Sequence, residues 1–178
     1  MNPGEGPLTL IVGVGSRMRG DDSVGPYVID LLKERMDEEG CPEGNRISLI
    51  DADVMPENFT RPIRESGAST CLLIDAVDIK IEPGSIRRIP LGMIDETIPC
   101  SHSLPISYLM KYIGEKIERV ELIGIQIGET GLYMDMTEGA RKGGDKLSEV
   151  LWNGGWEEIP VHEKSEEDPE KEATNYCW

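Results

Sequence analysis

An apolar segment that leads through a glycine-rich loop into an amphipathic helix restricts the possible folds of this chain more than any other feature. Residues 8–14 (LTLIVGV) are rich in branched side chains, which is typical of a strand buried on both faces. After the loop, apolar residues recur at helical spacing up to about Met36: Val24, Tyr27, Val28, Leu31 and Leu32. A strand, a glycine turn and a helix open a βαβ unit, so this pattern predicts a sheet with parallel strands.

Further elements follow in alternation along the chain. Segments bounded by Gly, Pro, Asn or Asp have the composition of strands: 46–51, 70–75, 85–90 and 120–126. In SHSLPISYLMKYIGEKI, Ser103 can cap a helix and Pro105 fits its first turn, with Leu104, Tyr108 and Tyr112 along one side. A last helix is predicted from about Met136 to Leu151, with these residues facing inward: Ala140, Leu147, Val150 and Leu151.

These elements predict an α/β fold. We expect a three-layer sandwich with helices on both faces of a twisted, mostly parallel five-stranded sheet. The strand at 85–90 is expected to be antiparallel, because only a short turn, EPG, separates it from the preceding strand. A single domain is predicted for residues 1–156, followed by an acidic and flexible tail at 157–178.

Charge and cysteine content restrict the class of partner and the compartment. The chain has 34 Asp and Glu against 18 Lys and Arg, a net charge of −16, which makes contact with nucleic acid or an anionic membrane repulsive. The four cysteines are widely spaced, so they indicate neither a disulfide framework nor a zinc site. The N-terminal MNPGEG lacks the basic region of a signal peptide. We therefore expect a cytoplasmic protein.

The glycine loop GVGSRMRGDDSVG, residues 13–25, has part of the pattern of a phosphate-binding loop. Gly15 and Gly20 have the right separation, but Asp21 and Asp22 stand where lysine and Ser or Thr are needed. Two carboxylates would repel a nucleotide. This substitution argues against a nucleotide-binding α/β protein.

Polar residues at predicted strand ends are the candidate site. Asp22 follows the first strand, Asp75 closes the third, and His102 precedes a helix. Open α/β sheets bind ligands at the carboxyl ends of their strands, so these side chains are expected to share a cleft. Two carboxylates and an imidazole would suit nickel, zinc, cobalt or manganese and leave positions for water or substrate. Each residue also has a structural interpretation: a helix cap for Asp22, a turn for Asp75 and a packing role for the histidine.

Five segments, in order, resemble the [NiFe]-hydrogenase maturation endopeptidases over about residues 8–151. The segments are VGVGSRMRGDDSVGP, LIDADVMPENFTRPIRE, LLIDAVDIKIEPGSIRRIP, SHSLPISYLMKYI and ELIGIQIGETGLYMDMT. The first is similar to the family signature G-x-G-N-x-x-x-x-D-[DE]-x-x-G. The subgroup that acts on the hydrogenase of formate hydrogenlyase and on energy-converting hydrogenases is the most similar.

The resemblance implies a specific activity. Such enzymes remove a C-terminal extension from the hydrogenase large subunit after nickel insertion, and their metal-contacting residues correspond here to Asp22, Asp75 and His102. The resemblance also implies that the nickel is supplied by the substrate, although another divalent metal could bind the isolated protein. Asp22 and Asp75 are the candidates for a catalytic role, without an assigned nucleophile. A non-enzymatic metallochaperone or assembly scaffold for the same precursor is the alternative.

Other residues of these segments have subordinate expected roles. Ser16 stands where the family usually has Asn, and Ser23 replaces a common Gly, which puts the hydrogen bonding of the loop in question. Asp21 is expected to orient the loop or cap the helix, and so to support the metal ligands without contacting the metal itself. Asp51 and Asp53 lie near another strand end and are expected to border the cleft.

Overall fold

A computed structural model describes residues 7–94 and 105–163 of the chain. Within these ranges one sheet contains five strands: β1 (Leu8–Gly13), β2 (Arg46–Asp51), β3 (Thr70–Val77), β4 (Ile86–Ile89) and β5 (Arg119–Gln126). The α-helices of the same ranges are α1 (Val24–Glu39), α2 (Thr60–Arg64), α3 (Ile106–Gly114) and α4 (Glu138–Trp152). Short 3-10 helices occur at Gly20–Ser23, Pro56–Phe59, Leu91–Met93 and Trp156–Glu158.

The strand order creates a switch point beside β1. The sheet is ordered β2-β1-β3-β5-β4, and its pairs are parallel except for the antiparallel pair of β4 with β5. From β1 the chain moves to β2 on one side, and from β2 it crosses to β3 on the other side of β1. In such a sheet the carboxyl ends of β1 and β3 border a crevice between diverging connections. The predicted architecture and the antiparallel strand are confirmed.

Helices pack on both faces of the sheet and produce two separate hydrophobic cores. One core joins the sheet to α1 and α4, and it includes Ile11, Ile29 and Leu147. The other joins the opposite face to α2 and α3, and it includes Val12 and Leu109. Ile11 and Val12 are consecutive in β1 and enter different cores, as the alternation of side chains along a strand requires. Burial on both faces explains why the strands read as continuous apolar segments.

Helix ends differ from the prediction by up to about three residues, as in α1, which ends at Glu39. Larger consequences follow from the boundaries of β3 and α3. β3 continues past Asp75 to Val77, because its last residues keep their pairing with β5 through Val77 and Gln126. The helix predicted to be capped by Ser103 begins at Ile106, with Pro105 in the N-cap position; Ser103 and Leu104 lie outside the described residues.

The side of α3 that carries the tyrosines faces solvent. Tyr108 and Tyr112 are exposed, and the buried side is formed by another set of apolar residues: Ile106, Leu109, Met110 and Ile113. The aliphatic set has the i, i+3, i+4, i+7 spacing of a core-facing stripe, and aliphatic side chains have no hydroxyl to satisfy. The Tyr112 ring instead packs against the guanidinium of Arg64, 3.8 Å from its carbon to the ring centroid.

The packed body of the described chain extends past residue 156. Ile159 is buried, and the Arg88 N–H donates to the Pro160 carbonyl at 2.9 Å. The His162 N–H donates to the Arg88 carbonyl at 2.8 Å, so this segment lies along the free edge of β4. Residues 164–178 of the predicted tail lie outside the described residues. Among the described helices, none is long and apolar enough to cross a membrane.

Candidate functional site

Glycines bring the start of α1 against the ends of β1 and β3. A Cβ at Gly25 would lie 2.2 Å from the Val14 carbonyl oxygen and 2.7 Å from the Ile74 carbonyl oxygen, so only glycine fits. Gly15 has φ of +130°, and a Cβ there would lie 1.9 Å from the Asp22 carbonyl oxygen. The β1–α1 loop (residues 14–23) therefore folds back closely over the carboxyl edge of the sheet.

Backbone N–H groups of the β1–α1 loop donate to carbonyls of neighbouring loops and are not directed at an anion. The Gly15 N–H donates to the Asp53 carbonyl at 3.0 Å, and the Gly20 N–H donates to the Met134 carbonyl at 3.1 Å. The Asp21 N–H donates to the Glu129 carbonyl at 3.1 Å. A phosphate-binding loop directs such N–H groups at its ligand. The geometry therefore agrees with the sequence argument against a nucleotide site.

Asp22 closes the loop rather than capping α1. Its side chain lies in the 3-10 turn Gly20–Ser23, and the residue is only 8% exposed. The Ser16 N–H donates to the Asp22 carboxylate at 3.0 Å, whereas the N-cap position of α1 is Ser23, without a side-chain capping bond. The interpretation of Asp22 as a helix cap is therefore wrong. A carboxylate fixed by a backbone donor at the crevice is available as a ligand through its remaining lone pairs.

Asp75 lies on β3 at the point where β1 leaves the sheet. Gly13, the last residue of β1, is paired with Ile74, so Asp75 is one residue beyond the end of that pairing. The side chain is buried, and the Ala76 N–H donates to its carboxylate at 2.8 Å. Asp75 is not in a turn, because β3 continues through it. A buried carboxylate is retained in proteins where hydrogen bonds, an opposite charge or a metal compensate its lost hydration.

Asp22 and Asp75 belong to the same edge of the sheet. Gly25, three residues after Asp22, touches the Ile74 carbonyl, which is adjacent to Asp75 in the chain. His102, the third predicted ligand, lies outside the described residues. Within 7–94 and 105–163, no group of three or more His, Cys, Asp or Glu side chains is arranged to hold a metal ion. The three-residue site stays a prediction, and the two carboxylates are of the oxygen-donor type that divalent metals accept.

Asp21 connects the β1–α1 loop to the β5–α4 loop (residues 127–137). Its fully buried carboxylate accepts hydrogen bonds from the N–H groups of Gly128 (2.6 Å), Glu129 (3.0 Å) and Thr137 (2.7 Å). The Thr137 hydroxyl donates to the same carboxylate at 3.0 Å and caps α4 by accepting the Ala140 N–H. Asp21 therefore orients the loops, as one of its two sequence interpretations proposed, and does not cap α1.

Arg17 forms an ion-pair bridge at the rim of the crevice. Its guanidinium contacts the carboxylates of Asp30 at 2.5 Å and Asp51 at 2.6 Å, and these hydrogen bonds raise the pKa of Arg17. Asp51 also accepts the Asp53 N–H at 3.2 Å, and the Asp53 carbonyl receives the Gly15 N–H. Asp51 and Asp53 thus hold the β1–α1 loop from the side of β2. Sequence reasoning assigned no role to Arg17, and its position in the loop gave no signal of its distant partners.

The serines that depart from the family pattern both take part in the loop. The Ser16 hydroxyl accepts the Met18 N–H at 3.3 Å, and the Ser23 hydroxyl donates to the Gly20 carbonyl at 2.6 Å.

Sequence reasoning also missed Gln126, which is buried at the end of β5. Its amide oxygen accepts the Ile79 N–H at 2.8 Å and fixes the connection that leads to β4.

Comparison with known proteins identifies the class of enzyme. Residues 26–153 match the HycI family, described as hydrogenase maturation protease. The hydrogenase 3 maturation protease of Escherichia coli K12 is 33% identical over 160 residues, which are 87% of this chain and 98% of the relative. A putative hydrogenase maturation protease of Methanocaldococcus jannaschii is 29% identical over 144 residues, 80% of this chain and 85% of the relative.

Solved structures show the same relationship. The solution structure of the endopeptidase HycI from E. coli superposes with a TM-score of 0.73 at 31% identity, covering 88% of this chain and 96% of that structure. The HycI crystal structure from Thermococcus kodakarensis superposes with a TM-score of 0.69 at 25% identity, covering 86% and 94%. The chain therefore belongs to the hydrogenase maturation protease family. It is accordingly an endopeptidase, a peptide-bond hydrolase that acts in hydrogenase maturation.

Proposed function

We propose that this endopeptidase removes the C-terminal extension of a [NiFe]-hydrogenase large-subunit precursor after nickel has been inserted, and that the precursor's nickel is its recognition element. The observation that supports this most strongly is the position of Asp22 and Asp75 at one edge of the sheet, beside the switch point, in a member of this protease family. We place the reaction in the cytoplasm.

The two aspartates are held in ways suited to contacting a metal that arrives with its substrate. The Asp22 carboxylate is oriented by the Ser16 N–H, and the Asp75 carboxylate is oriented by the Ala76 N–H. His102 is the third proposed ligand. Nickel accepts carboxylate oxygen and imidazole nitrogen together with thiolates, so open positions on a precursor-bound ion would join the two proteins. Precursor without nickel would lack this link.

Cleavage requires activation of water and polarisation of the scissile carbonyl. The substrate's nickel supplies Lewis acidity for either step, and a carboxylate is a suitable general base. Asp22 and Asp75 are the candidates for that base. Their rigid hydrogen bonding orients them before the substrate arrives, which lowers the entropic part of the barrier.

The test compares nickel-loaded with nickel-free precursor. We expect intact-mass spectrometry to show loss of the C-terminal extension from the loaded form, and no processing of the nickel-free form. The Asp75→Asn variant should lose processing, whereas Asp37→Asn, which neutralises an exposed carboxylate near the end of α1, should process normally. Equal cleavage of both precursor forms would refute nickel recognition. Stable binding with an unchanged C-terminus would favour the scaffold alternative.

A further inference from the structure

Large apolar side chains are exposed beside the candidate site on two loops. Tyr133 is 78% exposed, Leu132 is 59% exposed, and Met18 and Met134 are also exposed. Met18 belongs to the β1–α1 loop and the others to the β5–α4 loop. We call these four side chains the loop apolar surface. Several exposed apolar side chains on neighbouring segments are a feature of interaction sites, whereas a single one needs no explanation.

Hydrogen bonds hold the two loops together beneath this surface. The Tyr133 N–H donates to the Met18 carbonyl at 2.7 Å, and the Gly20 N–H donates to the Met134 carbonyl at 3.1 Å. The Asp21 carboxylate ties both ends of the β5–α4 loop to the same place. Tyr133 adopts φ of +60°, which a bulky side chain rarely takes unless its surroundings impose it. The apolar side chains are therefore presented by a preorganised backbone, which reduces the entropy lost on binding.

The loop apolar surface is close in the chain to the proposed site. Met18 lies between Ser16 and Asp22, whose hydrogen bond closes the β1–α1 loop. Asp21, which anchors the β5–α4 loop, is the neighbour of Asp22 in the chain. Because Met18 is four residues from Asp22, their Cα atoms are at most about 14 Å apart, a distance that about four extended peptide residues can span.

Charge defines the chemistry of the occupant. Glu129 and Asp135 are exposed on the β5–α4 loop, and the whole chain has a net charge of −16. Arg17 and Arg19 are exposed on either side of Met18, and the charge of Arg17 is balanced by Asp30 and Asp51. A second copy of this chain would set the same carboxylates against each other, which is unfavourable. An apolar peptide segment with neutral or basic flanking residues suits the surface, and methionine side chains adapt readily to such segments.

We propose that Met18, Leu132, Tyr133 and Met134 bind the apolar side chains of the precursor's C-terminal extension, next to the scissile bond. This inference rests on the proposed function, because it takes that precursor as the substrate. It assigns substrate affinity to a surface separate from the carboxylates. Removing apolar contacts there therefore weakens binding of the extension without altering the chemical step.

The test uses the double variant Leu132→Ser/Tyr133→Asn; asparagine tolerates the left-handed conformation at residue 133. The matched control is Leu91→Ser/Val161→Ser, which removes two exposed apolar side chains near the far end of β4. With nickel-loaded precursor, we expect KM to rise at least tenfold, equivalent to about 1.4 kcal/mol, and kcat to stay within twofold. The control should match the unmodified protein. An unchanged KM, or a fall in kcat alone, would overturn the proposal.

Direct binding measurements separate this inference from the proposed function. Biolayer interferometry would compare the precursor with the same subunit lacking its extension. The loop variant should bind the precursor at least tenfold more weakly and should bind the shortened subunit like the control. Equal weakening for both would show that the surface does not contact the extension and would refute the inference. If the unmodified protein binds but never cleaves, the proposed function fails while this comparison still decides the docking surface. Dimerisation abolished by the loop variant would show a second copy as the occupant instead.

Discussion

Replacing Asp21 tests whether one buried carboxylate holds the candidate site together. In Asp21→Ala, the donors of Gly128, Glu129 and Thr137 lose the acceptor that now receives four hydrogen bonds. Hydrogen bonds to a charged group contribute about 1.5–3 kcal/mol, but Gly128 and Glu129 are exposed residues, so water can replace part of what their N–H groups lose. Counting about 1 kcal/mol for each donor, we expect the free energy of unfolding to fall by about 4 kcal/mol.

The isosteric variant Asp21→Asn gives a finer test of the same geometry. One carboxylate oxygen accepts from Gly128, Glu129 and the Thr137 hydroxyl, and the other accepts only the Thr137 N–H. An asparagine can keep the first set through its carbonyl oxygen, but its amide group then faces the Thr137 N–H with another donor. We expect the free energy of unfolding to fall by about 1–2 kcal/mol, which places this variant between the unmodified protein and the alanine variant.

Urea denaturation measures these differences, and hydrogen exchange locates them. The alanine variant should unfold about 10 °C lower in thermal denaturation, given the size of the domain. Its amide protons at residues 128, 129 and 137 should exchange faster, while those in the middle of β1 stay protected. Asp135→Ala is the control, since this aspartate is exposed on the same loop, and it should change stability by less than about 0.5 kcal/mol. A loss below about 1 kcal/mol in Asp21→Ala, or unchanged exchange, would refute the reasoning.

Two further predictions concern packing and cysteine chemistry. In urea denaturation, Gly25→Ala should lower the free energy of unfolding by at least about 2 kcal/mol, because its methyl group would overlap two carbonyl oxygens. The control Gly114→Ala has open space around the new methyl group and should be neutral or slightly stabilised. Equal effects of the two substitutions would contradict the close approach at Gly25. Burial raises the pKa of the Cys71 thiol to about 12, so almost no thiolate exists there at pH 8. Iodoacetamide should therefore label the exposed Cys41, and it should label Cys71 only after urea is added. Peptide mass mapping checks this, and rapid native labelling of Cys71 would show that β3 opens.

The sheet could be predicted because each strand is a short apolar segment bounded by turn-forming residues. The end of β3 could not be predicted, because Asp75 interrupts the apolar pattern. Pairing with β5 nevertheless continues the strand to Val77. The exposed side of α3 was equally ambiguous, since two apolar stripes compete on one helix. The outcome depended on the aliphatic stripe packing against the sheet, which is a tertiary effect.

The positions of two aspartates were predictable where the strand-end rule applies, and hydrogen-bond partners that are distant in sequence were not. Asp22 and Asp75 follow from the rule that ligands bind at the carboxyl edge of an open sheet, and both lie at that edge. The bonds of Asp21 reach residues 128–137, and nothing in its local sequence indicates them. Arg17 was missed for the same reason, and His102 remains a prediction.

The bonds of Asp21 also make the geometry of the β1–α1 loop depend on a segment that is synthesised much later. They join positions separated by 107 to 116 residues, from the first loop of the chain to the residues before the last long helix. A ribosome-bound chain that ends after β3 already contains Asp22 and Asp75, but it lacks the β5–α4 loop, to which Asp21 is bonded. The β1–α1 loop can therefore reach its bonded geometry only after residue 137 has been synthesised.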